Sequence, residues 1–156
     1  MTEVDSVNGA KDARKKALAM LARREHSGAE LHGKLKAVGF PEEVIAETLS
    51  ALEREGWLSD ERFAEAFIRI RRERGYGPVR IRAELRERGV HNELIDHYVD
   101  MRDPAWLAPL EQVWSKRFRS RQGADLAERV RQQRFFQARG YTAEQIRAVI
   151  GRGDRR

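Results

Sequence analysis

Apolar residues recur along this chain at helical spacing, and the spacing itself repeats. Leu35, Gly39 and Ile45 return as Leu85, Gly89 and Ile95, then as Phe136, Gly140 and Ile146, at offsets of 50 and 51 residues. A fixed period of that length marks one supersecondary unit present in three tandem copies. Each phrase has the chemistry of a helix stop followed by a helix start. A glycine after a run of helix formers suits the position where the chain turns into left-handed backbone. The next residue is apolar each time: Phe40, Val90, Tyr141. The following helix opens with Pro41-Glu42-Glu43, Asn92-Glu93 or Thr142-Ala143-Glu144, mixing proline, cap residues and acids that favour a helix N-terminus.

A third helix precedes those two in every copy. Ala13, Phe63 and Trp114 align at the same offsets, as do Ala17, Phe67 and Phe118, four residues on and therefore on the same helix face. The closing helices agree at i, i+3, i+4 spacing through Ile45, Thr48 and Leu49, Ile95, Tyr98 and Val99, and Ile146, Val149 and Ile150. The third copy is the loosest, with Gln132 where Leu31 and Ile81 stand.

The pattern predicts an all-α protein: three tandem three-helix repeats of about 50 residues in an elongated, curved solenoid-like array. The expected boundaries are a polar N-terminal tail over 1–12, repeats over 13–58, 59–103 and 104–151, and a basic C-terminal tail over 152–156. A unit of that size is near the lower limit for an independent core, so neighbours are expected to lean on each other. The one hairpin-type dipeptide, Asn8-Gly9, lacks strand-like flanks.

Composition narrows the chemistry. The chain has no cysteine, which excludes disulfides and thiolate metal sites and fits a reducing compartment. His26 and His32, like His91 and His97, stand six apart, so neither pair shares a helix face as an i, i+4 metal pair would, and no metal site is expected. Neither a secretory signal nor a membrane span is present in the polar N-terminal stretch, and a cytoplasmic protein is expected. Walker A, GxGxxG, GxSxG and HExxH motifs are absent. Gly75-Tyr76-Gly77-Pro78 is better explained as a helix stop followed by a first-turn proline than as a phosphate loop. No catalytic residues and no cofactor are expected.

Charge is where function shows. Met1 to Leu58 carries nine basic and ten acidic residues, Ser59 to Asp103 ten of each, and Pro104 to Arg156 twelve and five, so the excess lies in the last third. Lys116, Arg117, Arg119, Arg121, Arg129, Arg131 and Arg134 supply donors there on two successive helices, and guanidinium groups match phosphates or carboxylates. In the middle copy Arg69, Arg71, Arg72, Arg74, Arg80, Arg82, Arg86 and Arg88 flank the Gly75 to Pro78 turn against Glu73, Glu84 and Glu87. A solvated helix face would look similar, with Glu84 and Arg88 as i, i+4 partners. Phe63, Phe67, Trp114 and Phe118 fall on the core stripe, and Trp57 and Tyr76, beside turns, are expected to pack at the joints.

Several segments carry a resemblance. Ala22-Arg23-Arg24-Glu25-His26-Ser27, Leu58-Ser59-Asp60-Glu61-Arg62-Phe63-Ala64 with Phe67-Ile68, Gly75-Tyr76-Gly77-Pro78 leading into Ile81-Arg82-Ala83-Glu84-Leu85, and Phe135-Phe136 before Arg139-Gly140-Tyr141 resemble the RecX family from about Ala13 to Ile150. The N-terminal dozen residues and the Arg121 to Asp125 connection depart from it. The resemblance implies a regulator of the RecA recombinase. It would bind the RecA filament on single-stranded DNA, lie along its groove, suppress ATP hydrolysis and strand exchange, and limit filament growth. It would have no chemistry of its own. Apart from the resemblance, three repeats with polar termini are expected to suffice as a monomer, with weak direct DNA binding and no membrane contact.

Two other classes stand beside it. In a stand-alone nucleic-acid binder, one copy would act as a helix-turn-helix with Asn92 to Met101 as recognition helix, yet that segment carries Glu93, Asp96 and Asp100. A helical protein adaptor would work independently of DNA.

Overall fold

The computed structural model describes residues 3–118 and 125–153. These residues form nine α-helices and no strand: α1 (Glu3–Arg23), α2 (Gly28–Val38), α3 (Glu42–Arg54), α4 (Asp60–Glu73), α5 (Pro78–Glu87), α6 (Asn92–Tyr98), α7 (Leu107–Phe118), α8 (Leu126–Ala138) and α9 (Ala143–Gly153). A 3₁₀ turn over Pro104–Trp106 leads into α7. The all-α, three-helix-repeat reading holds. Helix α1 starts at Glu3, ahead of the first residues that share the repeat pattern.

The recurring phrase does the structural work its chemistry suggests. Leu35, Leu85 and Phe136 are fully buried, and Ile45, Ile95 and Ile146 are buried one helix later. Between them Gly39, Gly89 and Gly140 adopt φ of +110°, +79° and +94°, backbone that side-chain-bearing residues resist. After α2 and α8 the residue following the glycine donates its N–H back into the helix, Phe40 to Leu35 O at 3.2 Å and Tyr141 to Phe136 O at 3.2 Å, so the reversal satisfies carbonyls left open at the helix end. Helix starts are capped by different means. Ser27 accepts from Glu30 N at 3.1 Å and Asp125 from Glu128 N at 2.9 Å. Thr142 and Gln145 cap each other at 2.9 and 3.1 Å, a reciprocal capping box.

The chain divides into two compact units, one of Met1–Ala66 with Arg86–Leu94 and the other of Phe67–Leu85 with Ile95–Arg156. In the first, Ala17, Leu31, Leu35, Ile45, Leu52 and Leu58 form the core, with Leu21, Phe40 and Leu49 packed against it. Ser27, buried, also donates its hydroxyl to Arg88 O at 2.7 Å, and a Cβ added to Gly89 would collide with the Cβ of Ala29. His26 is buried beside this joint. Its Nε2 accepts from Lys34 Nζ at 2.9 Å and its Nδ1 donates to Arg24 O at 3.1 Å; an ammonium can only donate, which fixes the tautomer. Burial, reinforced by the Arg24 and Lys34 charges, holds its pKa below the usual imidazole value.

In the second unit Leu110, Phe118, Phe136, Tyr141, Ile146 and Val149 form the core, with Val113, Trp114 and Phe135 partly buried against it. Gln132 is buried here and accepts from the Trp114 indole at 3.1 Å, so the polar exception to the Leu31 and Ile81 column has its donor in the preceding helix. The joint seen in the first unit has a counterpart. Gly77 N donates to Arg139 O at 2.8 Å and Val79 N to Gly140 O at 2.9 Å, and a Cβ on Gly77 would lie 2.5 Å from the Gly140 carbonyl. Gly77 aligns with Ser27, and Arg139 with Arg88, at the repeat offsets. The second helix of one repeat therefore seats its start on the glycine turn of the next, twice.

Trp106 is buried and donates its indole N–H to Asp100 O at 2.7 Å. Trp57 departs from expectation: it is 57% exposed, because the turn it sits in is held by its backbone, whose carbonyl accepts from Arg62, rather than by its ring. The Tyr141 hydroxyl is buried without a hydrogen-bond partner among the described residues, and this burial pushes its pKa upward. Phe40 and Val90 fill the matching positions without a polar atom. Tyr141→Phe, which keeps the ring and removes the unpaired oxygen, is expected to leave stability unchanged or raise it by about 1 kcal/mol, measured by thermal or urea unfolding.

Candidate partner-binding surface

The basic residues singled out in the sequence separate into two groups once their neighbours are known. Those around the Gly75–Pro78 turn are largely engaged. Gly75, at φ +84°, reverses the chain after α4 and leaves Tyr76 half-buried. Three guanidinium carbons surround the Tyr76 ring centroid, Arg80 at 4.6 Å, Arg139 at 4.9 Å and Arg71 at 5.4 Å, within range of the ring's negative face. Glu84 offsets part of this charge, pairing with Arg71 at 3.0 Å and Arg80 at 3.1 Å. Arg139 also donates to Arg74 O at 3.1 Å and Gly75 O at 3.2 Å. Tyr76 thus packs at a joint, as expected.

Arg72 and Arg82 are engaged as well. The Arg72 guanidinium lies 5.6 Å from the Trp106 ring, and Arg82 pairs with Asp96. The stretch from Asn92 to Met101 forms a helix only to Tyr98, shorter than a recognition helix drawn through Met101. Asp100 instead accepts from Arg102 N at 3.0 Å. A short helix with Glu93 exposed and Asp96 held by an arginine offers phosphates little.

The second group reaches outward. Arg69 on α4 and Arg74, in the turn just after it, are exposed, and neither forms an ion pair among the described residues. Arg86 is exposed on the last turn of α5, within the first unit. Lys116 and Arg117 end α7, exposed, with Arg117 stacked 4.4 Å over the Phe135 ring. On α8, Arg129, Arg131 and Arg134 are exposed, and Arg131 pairs with Glu128 at 3.1 Å. Arg119 and Arg121 lie outside the described residues. An exposed guanidinium or ammonium without a carboxylate partner can take a phosphate or carboxylate from another molecule without breaking an internal bond.

Sequence reasoning left Arg139 out of the candidate set. The signal for it was its column: it precedes Gly140 as Arg88 precedes Gly89, and the residue before that glycine supplies the carbonyl on which the neighbouring repeat is seated. No helix among the described residues is long and apolar enough to cross a membrane.

Comparison with known proteins agrees with this architecture along the chain. Family models for the first, second and third three-helix domains of RecX match residues 13–52, 59–98 and 110–150. The chain is 46% identical over 138 residues to a regulatory protein RecX of Halorhodospira halophila, covering 88% of this chain and 86% of that protein. It is 43% identical over 140 residues to one of Pseudomonas entomophila, covering 89% and 90%. The crystal structure of RecX from Lactobacillus salivarius superposes with a TM-score of 0.83 at 16% identity, over 96% of this chain and 99% of that one, and shares the fold.

Proposed function

The chain belongs to the RecX family of regulatory proteins, and from that premise we propose that it is a negative regulator of the RecA recombinase. In this reading it binds the RecA filament on single-stranded DNA as a cytoplasmic monomer and inhibits ATP hydrolysis, strand exchange and filament growth. It thereby modulates recombination, DNA repair and the SOS response. The observation that carries it is the ordered match of all three three-helix domains over most of the chain.

The physical features are consistent with such a role. Repeat proteins present extended surfaces, and a filament offers a repeating one. Arg69, Arg74, Arg86, Lys116 and Arg117 are assigned to DNA phosphates or to acidic filament surface, together with Arg119 and Arg121. Arg71, Arg72, Arg80, Arg82 and Arg139 are assigned to holding the fold. Weak direct DNA binding follows from the first group.

The test is the rate of single-strand-dependent ATP hydrolysis by RecA as this protein is titrated in, with controls lacking DNA. Hydrolysis is expected to fall steeply at amounts well below one molecule per RecA protomer, since a molecule that blocks growth acts on many protomers. Unchanged hydrolysis at saturation would remove the regulatory reading and leave a plain nucleic-acid binder.

A further inference from the structure

Helix α8 buries Gln132 and Phe136 on one side, and its other side is not simply polar. Leu126 is 76% exposed and Val130, one turn on, 37% exposed. Arg134 continues the line by a further turn. These three, with Ala127 and Arg131, line an open stretch of surface along α8. Two apolar side chains one turn apart thus face water along one helix line, where covering them would remove apolar surface from water.

The surroundings specify the kind of molecule. Arg129, Arg131 and Arg134 share α8 with Glu128 as its sole acid, and the Glu128 side chain is mostly buried, accepting from Arg131 at 3.1 Å and from Gln132 at 3.4 Å. The exposed face therefore joins an apolar line to positive charge, which complements apolar residues and carboxylates together. Nucleic acid fits it less well. Bases bind chiefly by stacking on aromatic rings, and the aromatics of α8, Phe135 and Phe136, are packed with the core; Phe135 also has Arg117 and Arg139 over it at 4.4 and 5.1 Å.

We propose that the Leu126–Val130–Arg134 face of α8 docks an acidic amphipathic helix of a protein partner. Apolar side chains at i, i+4 on that helix pack on Leu126 and Val130, and its carboxylates pair with Arg131 and Arg134. The inference deepens the regulatory reading, on which it rests for the partner's identity, by giving this part of the third repeat to protein and not to DNA.

The test uses the full chain and three readouts: anisotropy of a short labelled leucine- and glutamate-rich amphipathic peptide, anisotropy of a labelled oligo-dT, and inhibition of RecA hydrolysis. The wild-type protein is expected to bind the peptide. Leu126→Ser with Val130→Ser is expected to weaken peptide binding about tenfold or more, to require a similarly larger amount for inhibition, and to leave oligo-dT affinity within about twofold. Both side chains are solvent-exposed, so melting and helical circular dichroism stay as in the wild type. Arg131→Gln with Arg134→Gln is expected to weaken the peptide and flatten its salt dependence.

Absence of peptide binding by the wild type, or equal binding by the wild type and the serine variant, overturns the proposal. Parallel loss of peptide and oligo-dT would assign the face to nucleic acid and overturn it too. A wild type that binds the peptide through this face but does not inhibit RecA supports the docking surface and removes the regulatory reading instead. A wild type that inhibits RecA without binding the peptide has the reverse meaning.

Discussion

Gly140→Ala is expected to destabilise the second unit by about 3 to 4 kcal/mol, while the equivalent change Gly39→Ala costs about 1 kcal/mol. The two glycines hold the same place in the repeat and both have positive φ, +94° and +110°, so the backbone strain of adding a side chain is shared. What differs is the space. A Cβ at Gly39 meets nothing within 4 Å, whereas one at Gly140 lies 2.5 Å from Arg80 N and 2.9 Å from Arg80 Cα, with the Arg80 Cβ closer still. Backbone in the first turn of α5 cannot swing aside as a flexible side chain does. Relief requires α5 to lift, which breaks the bonds from Gly77 N to Arg139 O and from Val79 N to Gly140 O and opens the guanidinium cluster on Tyr76. At about 2–4 °C per kcal/mol for a chain of this size, calorimetry should show a fall of about 10 °C for Gly140→Ala against a few degrees for Gly39→Ala. Equal losses at the two positions would mean that the turn-on-turn joint contributes little.

The contrast between those glycines also marks what the sequence carries and what it omits. The Leu35–Gly39–Ile45 phrase is legible because burial, backbone handedness and helix starting each restrict residue type, and three copies repeat the restriction. Gln132 is legible as an exception, but its partner Trp114 belongs to another aligned column, and no pattern within one column joins them. The same limit governs the arginines. In sequence Arg69 and Arg71 are near neighbours of equal chemistry; in the fold Arg71 is bound between Glu84, Phe67 and Tyr76, and Arg69 is open to solvent. Which side of α4 each occupies follows from helical phase, yet what waits on that side comes from α5 and from the turn after α8. Arg139 was missed for that reason: besides Phe135 in its own repeat, its partners are the Tyr76 ring and the Arg74 and Gly75 carbonyls of the preceding repeat, reached through the joint. Trp57 shows the converse, a large apolar residue beside a turn that suggests packing, left outside because Arg62 secures the turn through the Gly56 and Trp57 carbonyls at 2.7 and 3.1 Å.

Neutralising Arg69, Arg74 and Lys116 together, each to glutamine, is expected to weaken filament inhibition by roughly a hundredfold at about 0.1 M salt without lowering the melting temperature. Each phosphate contact adds about 0.7 to the logarithmic salt slope on single strands, so three lost contacts flatten the slope by about 2, which at that salt concentration is about two decades in affinity. The fold does not depend on these three, since all are exposed and none holds an ion pair among the described residues. Arg71→Gln is the matched control. It removes one positive charge from α4, the helix that carries Arg69, but it also breaks the 3.0 Å pair with Glu84 and one of the cation contacts on Tyr76. That change is expected to lower the melting temperature by a few degrees, about 1 to 2 kcal/mol, and to change the salt slope little. Titrating RecA hydrolysis at several salt concentrations for the wild type, the triple variant and the control separates the two groups of arginines. If the triple variant keeps the wild-type salt slope, those side chains form only a solvated face, and any affinity for the RecA filament must come from apolar contacts such as the one proposed for α8.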